Sequence, residues 1–117
     1  MKDNNVRHFY CKGLQDFKFE HTYDCIWIQW VLTHLNDEDN IAFLIKAKAH
    51  LSEGGVIIVK ENCSEKGFYV DKEDCTVVRS SMLYRKLFEQ AGMKIIKEER
   101  QPDWPTDLFE PVLFALV

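Results

Sequence analysis

Glycine and proline are scarce in this sequence, five and three among 117 residues, and the prolines all fall late, at Pro102, Pro105 and Pro111. Such a composition is neither collagen-like nor that of a disordered linker, so most of the chain can be regular structure. No apolar run approaches the ~20 residues that cross a bilayer. No basic block is present either. The 15 Lys and Arg residues face 19 Asp and Glu residues, a net charge of −4. Neither a nucleic acid nor an anionic membrane is therefore an expected partner. Met1-Lys2-Asp3-Asn4-Asn5 has no apolar stretch behind it, so no signal peptide is visible and the chain reads as intracellular. The four cysteines, Cys11, Cys25, Cys63 and Cys75, show no C-x-x-C spacing and no neighbouring histidine cluster. Free thiols are expected, and no metal site. G-x-G-x-x-G, G-x-x-x-x-G-K-[ST] and G-x-S-x-G are all missing, which removes the sequence handles for phosphate-cradling loops and serine hydrolases.

What remains is a chain with 46% apolar residues, enough for one domain over residues 1–117. Val6–Cys11 is a short β-prone run. Tyr23–Val31 (YDCIWIQWV) is apolar on both faces, as a buried central strand would be. Asn36 looks like a helix N-cap, followed by Asp37, Glu38 and Asp39 where the helix dipole favours negative charge. Ile41, Leu44, Ile45 and Leu51 continue a helical stripe to a stop at Gly54-Gly55. Val56–Val59 is β-branched and reads as another buried strand. A polar stretch from Glu61 to Asp74 precedes a helix marked by Val78, Met82, Leu83, Leu87, Phe88 and Ala91. Strands at Met93–Gln101 and Val112–Val117 close the chain around a proline-bearing turn. The alternation predicts an α/β fold with right-handed crossovers, helices on both faces of the sheet and an antiparallel last strand pair.

In open α/β sheets ligands bind beyond the carboxyl ends of the strands. The second expected strand runs into Gln29-Trp30-Val31-Leu32-Thr33-His34, and the third into Lys60-Glu61-Asn62. Gln29 interrupts an apolar run, and a buried amide needs partners: either neighbouring backbone or a ligand. His34 precedes an acidic helix start, as a packing residue or as a functional imidazole. Asp71, Glu73 and Asp74 form an acidic cluster, either a solvated face or a seat for a cationic group.

Three segments together carry a resemblance: Gly13-Leu14-Gln15-Asp16-Phe17, then YDCIWIQWVLTHL (Tyr23–Leu35), then GGVIIVKEN (Gly54–Asn62). With Asp71, Asp74, Arg79, Glu98-Glu99-Arg100-Gln101 and Phe114-Ala115-Leu116, the chain resembles the protein α-N-terminal methyltransferases over essentially its whole length. That family methylates the N-terminal amine of X-Pro-Lys proteins with S-adenosylmethionine, in the cytoplasm and nucleus. Its fold is a Rossmann-like sheet of seven strands in the order 3-2-1-4-5-7-6. The glycine-rich cofactor loop of its first strand has no counterpart here, so the resemblance is to strands 3 to 7, the second half of the domain. It implies that Leu14 and Gln15 contact the cofactor, and Gln29 the cofactor or the incoming amine. It implies that Trp30, Asn62, Asp71 and the tail aromatic Phe109 hold the substrate N-terminus, and that Asp74 and His34 are the candidate bases. It also implies that the strand at Cys25–Val31 is an open edge prone to self-association or to pairing with a partner, and that the chain alone is poorly stable. The alternative is a catalytically inactive module that keeps the peptide groove and binds such tails without reaction.

Overall fold

The computed structural model of the chain describes residues 12–101 and 109–117. The expected strand at Val6–Cys11, the Pro102–Pro105 turn and Cys11 lie outside the described residues. The elements are β1 (Tyr23–Gln29), a 3-10 turn (Leu32–His34), α1 (Asp37–Ala49), β2 (Leu51–Cys63), β3 (Phe68–Asp71), β4 (Thr76–Arg79), α2 (Ser81–Gln90), β5 (Ile95–Arg100) and β6 (Glu110–Leu116). The main sheet has the order β1-β2-β6-β5, and β3 and β4 form a separate two-stranded hairpin. β1 and β2 are parallel, and β6 runs antiparallel to both of its neighbours. This is the 4-5-7-6 part of the order that the resemblance implies.

β1, β2 and β5 advance in one direction across the sheet. Right-handed crossovers taken in one direction place their helices on one face. Hence α1 and α2 pack together on the same side, and the expected helices on both faces are found on one face only among the described residues. Phe43, Leu44 and Ala47 of α1 and Tyr84, Leu87 and Phe88 of α2 share a core with Ile57, Val59, Phe114 and Leu116 of the sheet. Phe114 sits 5.0 Å from the Phe88 ring and 6.1 Å from that of Tyr84. Burying each such side chain contributes roughly 1.5–3 kcal/mol.

β1 is not the doubly covered central strand that its apolar sequence suggested. It lies at the end of the sheet order, only Ile28 is buried, and Trp27 is 55% exposed. Its apolar face pairs with the half-exposed Val56 and Ile58 of β2, on the side opposite the helices.

Two helix boundaries also differ from expectation. Asn36 caps α1 as expected, its Oδ1 accepting from the Asp39 N–H at 2.8 Å. The helix nevertheless ends at Ala49, and Leu51 opens β2. His50 supplies the exit: its carbonyl accepts from the Tyr23 N–H at 2.8 Å, which starts β1–β2 pairing before the glycines are reached. Gly54 and Gly55 serve instead in an irregularity of β2, where partners jump from Tyr23↔Leu51 to Cys25↔Val56. α2 begins at Ser81 rather than near Val78, because the Ser80 hydroxyl caps it by accepting from the Leu83 N–H and Val78 is paired with Tyr69 in the hairpin. Cys25, Cys63 and Cys75 are free thiols. Among the described residues no helix is long and apolar enough to cross a membrane.

A Cβ on Gly55 would lie 2.9 Å from the Ser52 carbonyl oxygen, 3.1 Å from that of Tyr23 and 3.2 Å from that of Asp24. These are backbone atoms of two paired strands and have little freedom to withdraw. Gly55→Ala is expected to destabilise the fold by about 2 kcal/mol, read as a lower urea midpoint in equilibrium unfolding.

Candidate functional site

The parallel ladder of β1 ends at Gln29, opposite Lys60. One residue later the chain turns sharply. Trp30 has φ +53°, a left-handed conformation that a bulky L-residue adopts only under constraint, at about 1–3 kcal/mol. Three contacts hold it. Its N–H donates to the Lys60 carbonyl at 3.0 Å, its indole Nε1 donates to Asn62 Oδ1 at 3.2 Å, and the Lys60 ammonium lies 5.2 Å from the ring centroid. Trp30 and Asn62 thus form one wall across the carboxyl ends of two adjacent parallel strands.

Behind that wall lies a buried polar cluster. Glu61 is completely buried, and its Oε2 accepts from the N–H groups of both Val31 and Leu32 at 3.0 Å. The Leu32 carbonyl accepts in turn from Asn40 Nδ2 at 3.2 Å and Arg79 Nη1 at 3.4 Å. Arg79 also donates to the Leu35 carbonyl at 2.8 Å and pairs with Asp37 at 2.9 Å. Burial pushes the Glu61 carboxyl up to about 7, against the two N–H bonds and the charge of Arg79, which pull it down. Glu61 Oε1, Asn40 Oδ1 and the Tyr84 hydroxyl are buried with no hydrogen-bond partner among the described residues.

The remaining expected residues lie on several elements. Gln29 Oε1 accepts from Trp27 Nε1 at 2.9 Å, so its amide group is oriented at the strand end by a neighbouring side chain rather than by backbone. Leu14 is half-buried against the core, and Gln15 is exposed in the adjoining turn, closed by Asp16 N–H to the Gly13 carbonyl. His34 is exposed at the last residue of the 3-10 turn. Asp71 and Asp74 lie on the hairpin, where Asp71 Oδ1 accepts from the Glu73 and Asp74 N–H groups and shapes the tip. The Asp74 carboxylate makes no hydrogen bond or ion pair among the described residues. Phe109 meets Tyr69 of β3 at 5.9 Å, tying the tail to the hairpin. The structure therefore joins Trp30 directly to Asn62, and Phe109 to the hairpin that carries both aspartates. Among the described residues the side chains of Asp74 and His34 make no hydrogen bond to each other or to Trp30 and Asn62.

Glu61 is absent from the residues expected from sequence, although a signal for it exists. In Ile57-Ile58-Val59-Lys60-Glu61 the period-two alternation places Glu61 on the face of Ile57 and Val59, the buried one.

Residues 1–117 match a protein family described as AdoMet dependent proline di-methyltransferase. The chain is 50% identical over 114 residues to an alpha N-terminal protein methyltransferase of Dictyostelium discoideum, covering 97% of this chain and 42% of that protein. It is 39% identical over 112 residues to a human N-terminal Xaa-Pro-Lys N-methyltransferase, covering 95% and 50% respectively. A solved SAM-dependent methyltransferase from Leishmania major superposes with a TM-score of 0.83 at 40% identity, over 89% of this chain and 42% of that one. A glycopeptide N-methyltransferase at 14% identity shares the fold, with a TM-score of 0.73. The chain spans about half the length of the relatives it matches.

The Glu61 carboxyl is held above its ordinary 4.5, so the folded state binds its proton more tightly than the unfolded chain does. Stability is then fully present below about 4.5 and is lost as pH rises towards about 7, by on the order of 3 kcal/mol. Denaturant unfolding at pH 5 and pH 8 is expected to show this loss, and Glu61→Gln to flatten it.

Proposed function

As this chain belongs to the AdoMet-dependent proline di-methyltransferase family, we propose that it supplies the acceptor side of an S-adenosylmethionine-dependent enzyme that methylates the N-terminal α-amine of proteins beginning Xaa-Pro-Lys. The observation that carries this reading is the Trp30–Asn62 wall at the carboxyl ends of β1 and β2, with the acidic hairpin as a further element of the same half-domain.

An N-terminal Xaa-Pro-Lys segment presents three distinct groups, and the chain holds a matching chemistry for each. The proline ring is apolar and rigid, and the half-exposed Trp30 indole offers it a flat surface. The peptide backbone next to it needs amide partners, and Asn62 has a further amide group to give. The lysine ammonium is cationic, and Asp71 and Asp74 supply carboxylates on the hairpin. The α-amine itself has an ordinary pKa of about 7.7–8.0, so a modest base suffices to expose its lone pair. Asp74 and His34 are assigned that role, and both side chains are free of internal hydrogen bonds among the described residues.

When bound, the cofactor supplies an electrophilic methyl group. Leu14, Gln15 and Gln29 fit one side of it: an apolar-backed turn and an amide oriented at a strand end. Its glycine-rich side has no counterpart among the sequence's five glycines, at positions 13, 54, 55, 67 and 92. The Trp30–Asn62 wall also fits a second reading, a module that binds Xaa-Pro-Lys N-termini without reaction. β1 is the last strand of the main sheet among the described residues, and we place association with a further polypeptide at its open edge.

A peptide beginning Ser-Pro-Lys, offered with methyl-labelled S-adenosylmethionine, distinguishes these readings. Label transfer that is lost when the peptide amine is acetylated supports the enzyme. Peptide binding without transfer supports the module, and absence of both removes both. In a transfer-competent preparation Asp74→Asn is expected to lower the rate by about 10²-fold or more with an unchanged melting curve. Asn62→Ala is expected to weaken peptide binding more than cofactor binding. Full activity of the Asp74 variant would take that residue out of the base role.

A further inference from the structure

We propose that Glu61 is a positioning residue for the acceptor groove: through the Val31 and Leu32 N–H groups it fixes the backbone turn that presents Trp30 to Asn62. The proposal rests on the reading of the Trp30–Asn62 wall as the peptide-holding side.

Glu61 belongs to β2, yet its side chain completes the backbone hydrogen bonding of the segment that follows β1. After Gln29, the Trp30 N–H still finds a β2 carbonyl, that of Lys60. The next two N–H groups have no strand carbonyl to meet. One carboxylate oxygen, fully buried, takes both at 3.0 Å. Glu61 is fully buried, so no bulk water competes for these two bonds. Their position relative to Trp30 matters. A left-handed tryptophan persists only where its surroundings over-determine it. Here its own N–H, its indole N–H and the two following N–H groups are all held from three consecutive residues of β2: Lys60, Glu61 and Asn62.

The far side of the turn is held as well. The Leu32 carbonyl is bound by Asn40 and Arg79, and the Leu35 carbonyl by the same two side chains. Arg79 ends β4, so the hairpin bearing Asp71 and Asp74 hangs from the same turn that Glu61 secures. The hydrogen bonds of the Glu61 side chain go to the main chain and to no side chain of the proposed groove. Glu61 acts by keeping the indole of Trp30, through main-chain geometry, within 3.2 Å of Asn62.

The test uses the full chain as wild type, Glu61→Ala and Glu61→Gln, with residue-resolved amide exchange by NMR and calorimetric titration of a hexapeptide beginning Ser-Pro-Lys. In Glu61→Ala the Val31 and Leu32 amides are expected to exchange at least tenfold faster, those of Ile57 and Phe114 to remain within threefold of wild type, and peptide affinity to fall at least tenfold. Glu61→Gln, which retains a carbonyl of the same reach, is expected to restore affinity to within threefold. Unchanged exchange at Val31 and Leu32, unchanged affinity in Glu61→Ala, or uniform acceleration of all amides would overturn the proposal. Should Glu61→Ala not fold, Glu61→Met, which fills the volume without an acceptor, takes its place. If neither folds while Glu61→Gln does, Glu61 serves the fold and not the groove, and the proposal falls. If wild type does not bind the peptide, the groove reading fails, and the positioning role in that groove falls with it. The exchange arm then still reports whether Glu61 holds the turn.

Discussion

A single buried carboxylate oxygen, Glu61 Oε2, joins the end of one parallel strand to the start of the next element, and the site is arranged around it. The problem it solves is general. Where a parallel strand ends inside a protein, its next N–H groups lose their ladder partners but remain out of water. β2 runs on past the end of β1 and offers alternately a main-chain carbonyl and a side chain. Lys60 gives the carbonyl and Glu61 the carboxylate, and the Asn62 side chain then meets the indole. Burying a charge in this way is unfavourable unless it is well bonded. The two N–H bonds and the nearby Arg79 offset that penalty, and the raised carboxyl affinity for protons records what remains of it.

The second organising constraint is the handedness of crossovers. Because β1, β2 and β5 follow one another in one direction, both helices and the shared core of Ile57, Val59, Val112, Phe114 and Leu116 fall on one face. The polar cluster of Glu61, Arg79, Asn40 and Tyr84 sits at the rim of this one-sided core, between the two helices and the strand ends. Its hydrogen bonds run to the N–H groups of Val31 and Leu32 and to the carbonyls of Leu32 and Leu35, so the segment before α1 is fixed largely by side chains.

Much of this was legible in the sequence. Strong apolar runs gave β1 and β2, and Asn36 with three acids marked the start of α1, because capping and alternation are local effects. The strand-end argument put Trp30 and Asn62 at one rim and the resemblance put them in one groove, but neither gave their hydrogen bond, since contact across 32 residues leaves no local trace. Two features were obscured by composition. Phe68–Asp71 and Thr76–Arg79 pair as a hairpin, but the first lies in a stretch that read as polar and Val78 of the second fits the stripe of the following helix. Leu51 fits a helical stripe as well as a strand, and what decides between them is the His50 carbonyl bonding to Tyr23, a tertiary contact. β1 shows the converse case. Its sequence is that of a strand covered on both faces, while among the described residues its second face carries an exposed Trp27. The left-handed Trp30 has no sequence signature at all, because it is imposed by three neighbours on another strand.

The place of β6 in the sheet bears on how the chain is made. It is the last synthesised of the strands described here, yet it lies between β2 and β5 and pairs with both. While a ribosome still holds residues 110–116, β2 has only β1 beside it, β5 has no partner in the sheet, and Phe114 is missing from the ring cluster of Tyr84 and Phe88. The main sheet can therefore be completed only after translation has passed these residues. Until then β2 and β5 each lack the β6 partner, and such unpaired edges are the kind of surface that chaperones cover.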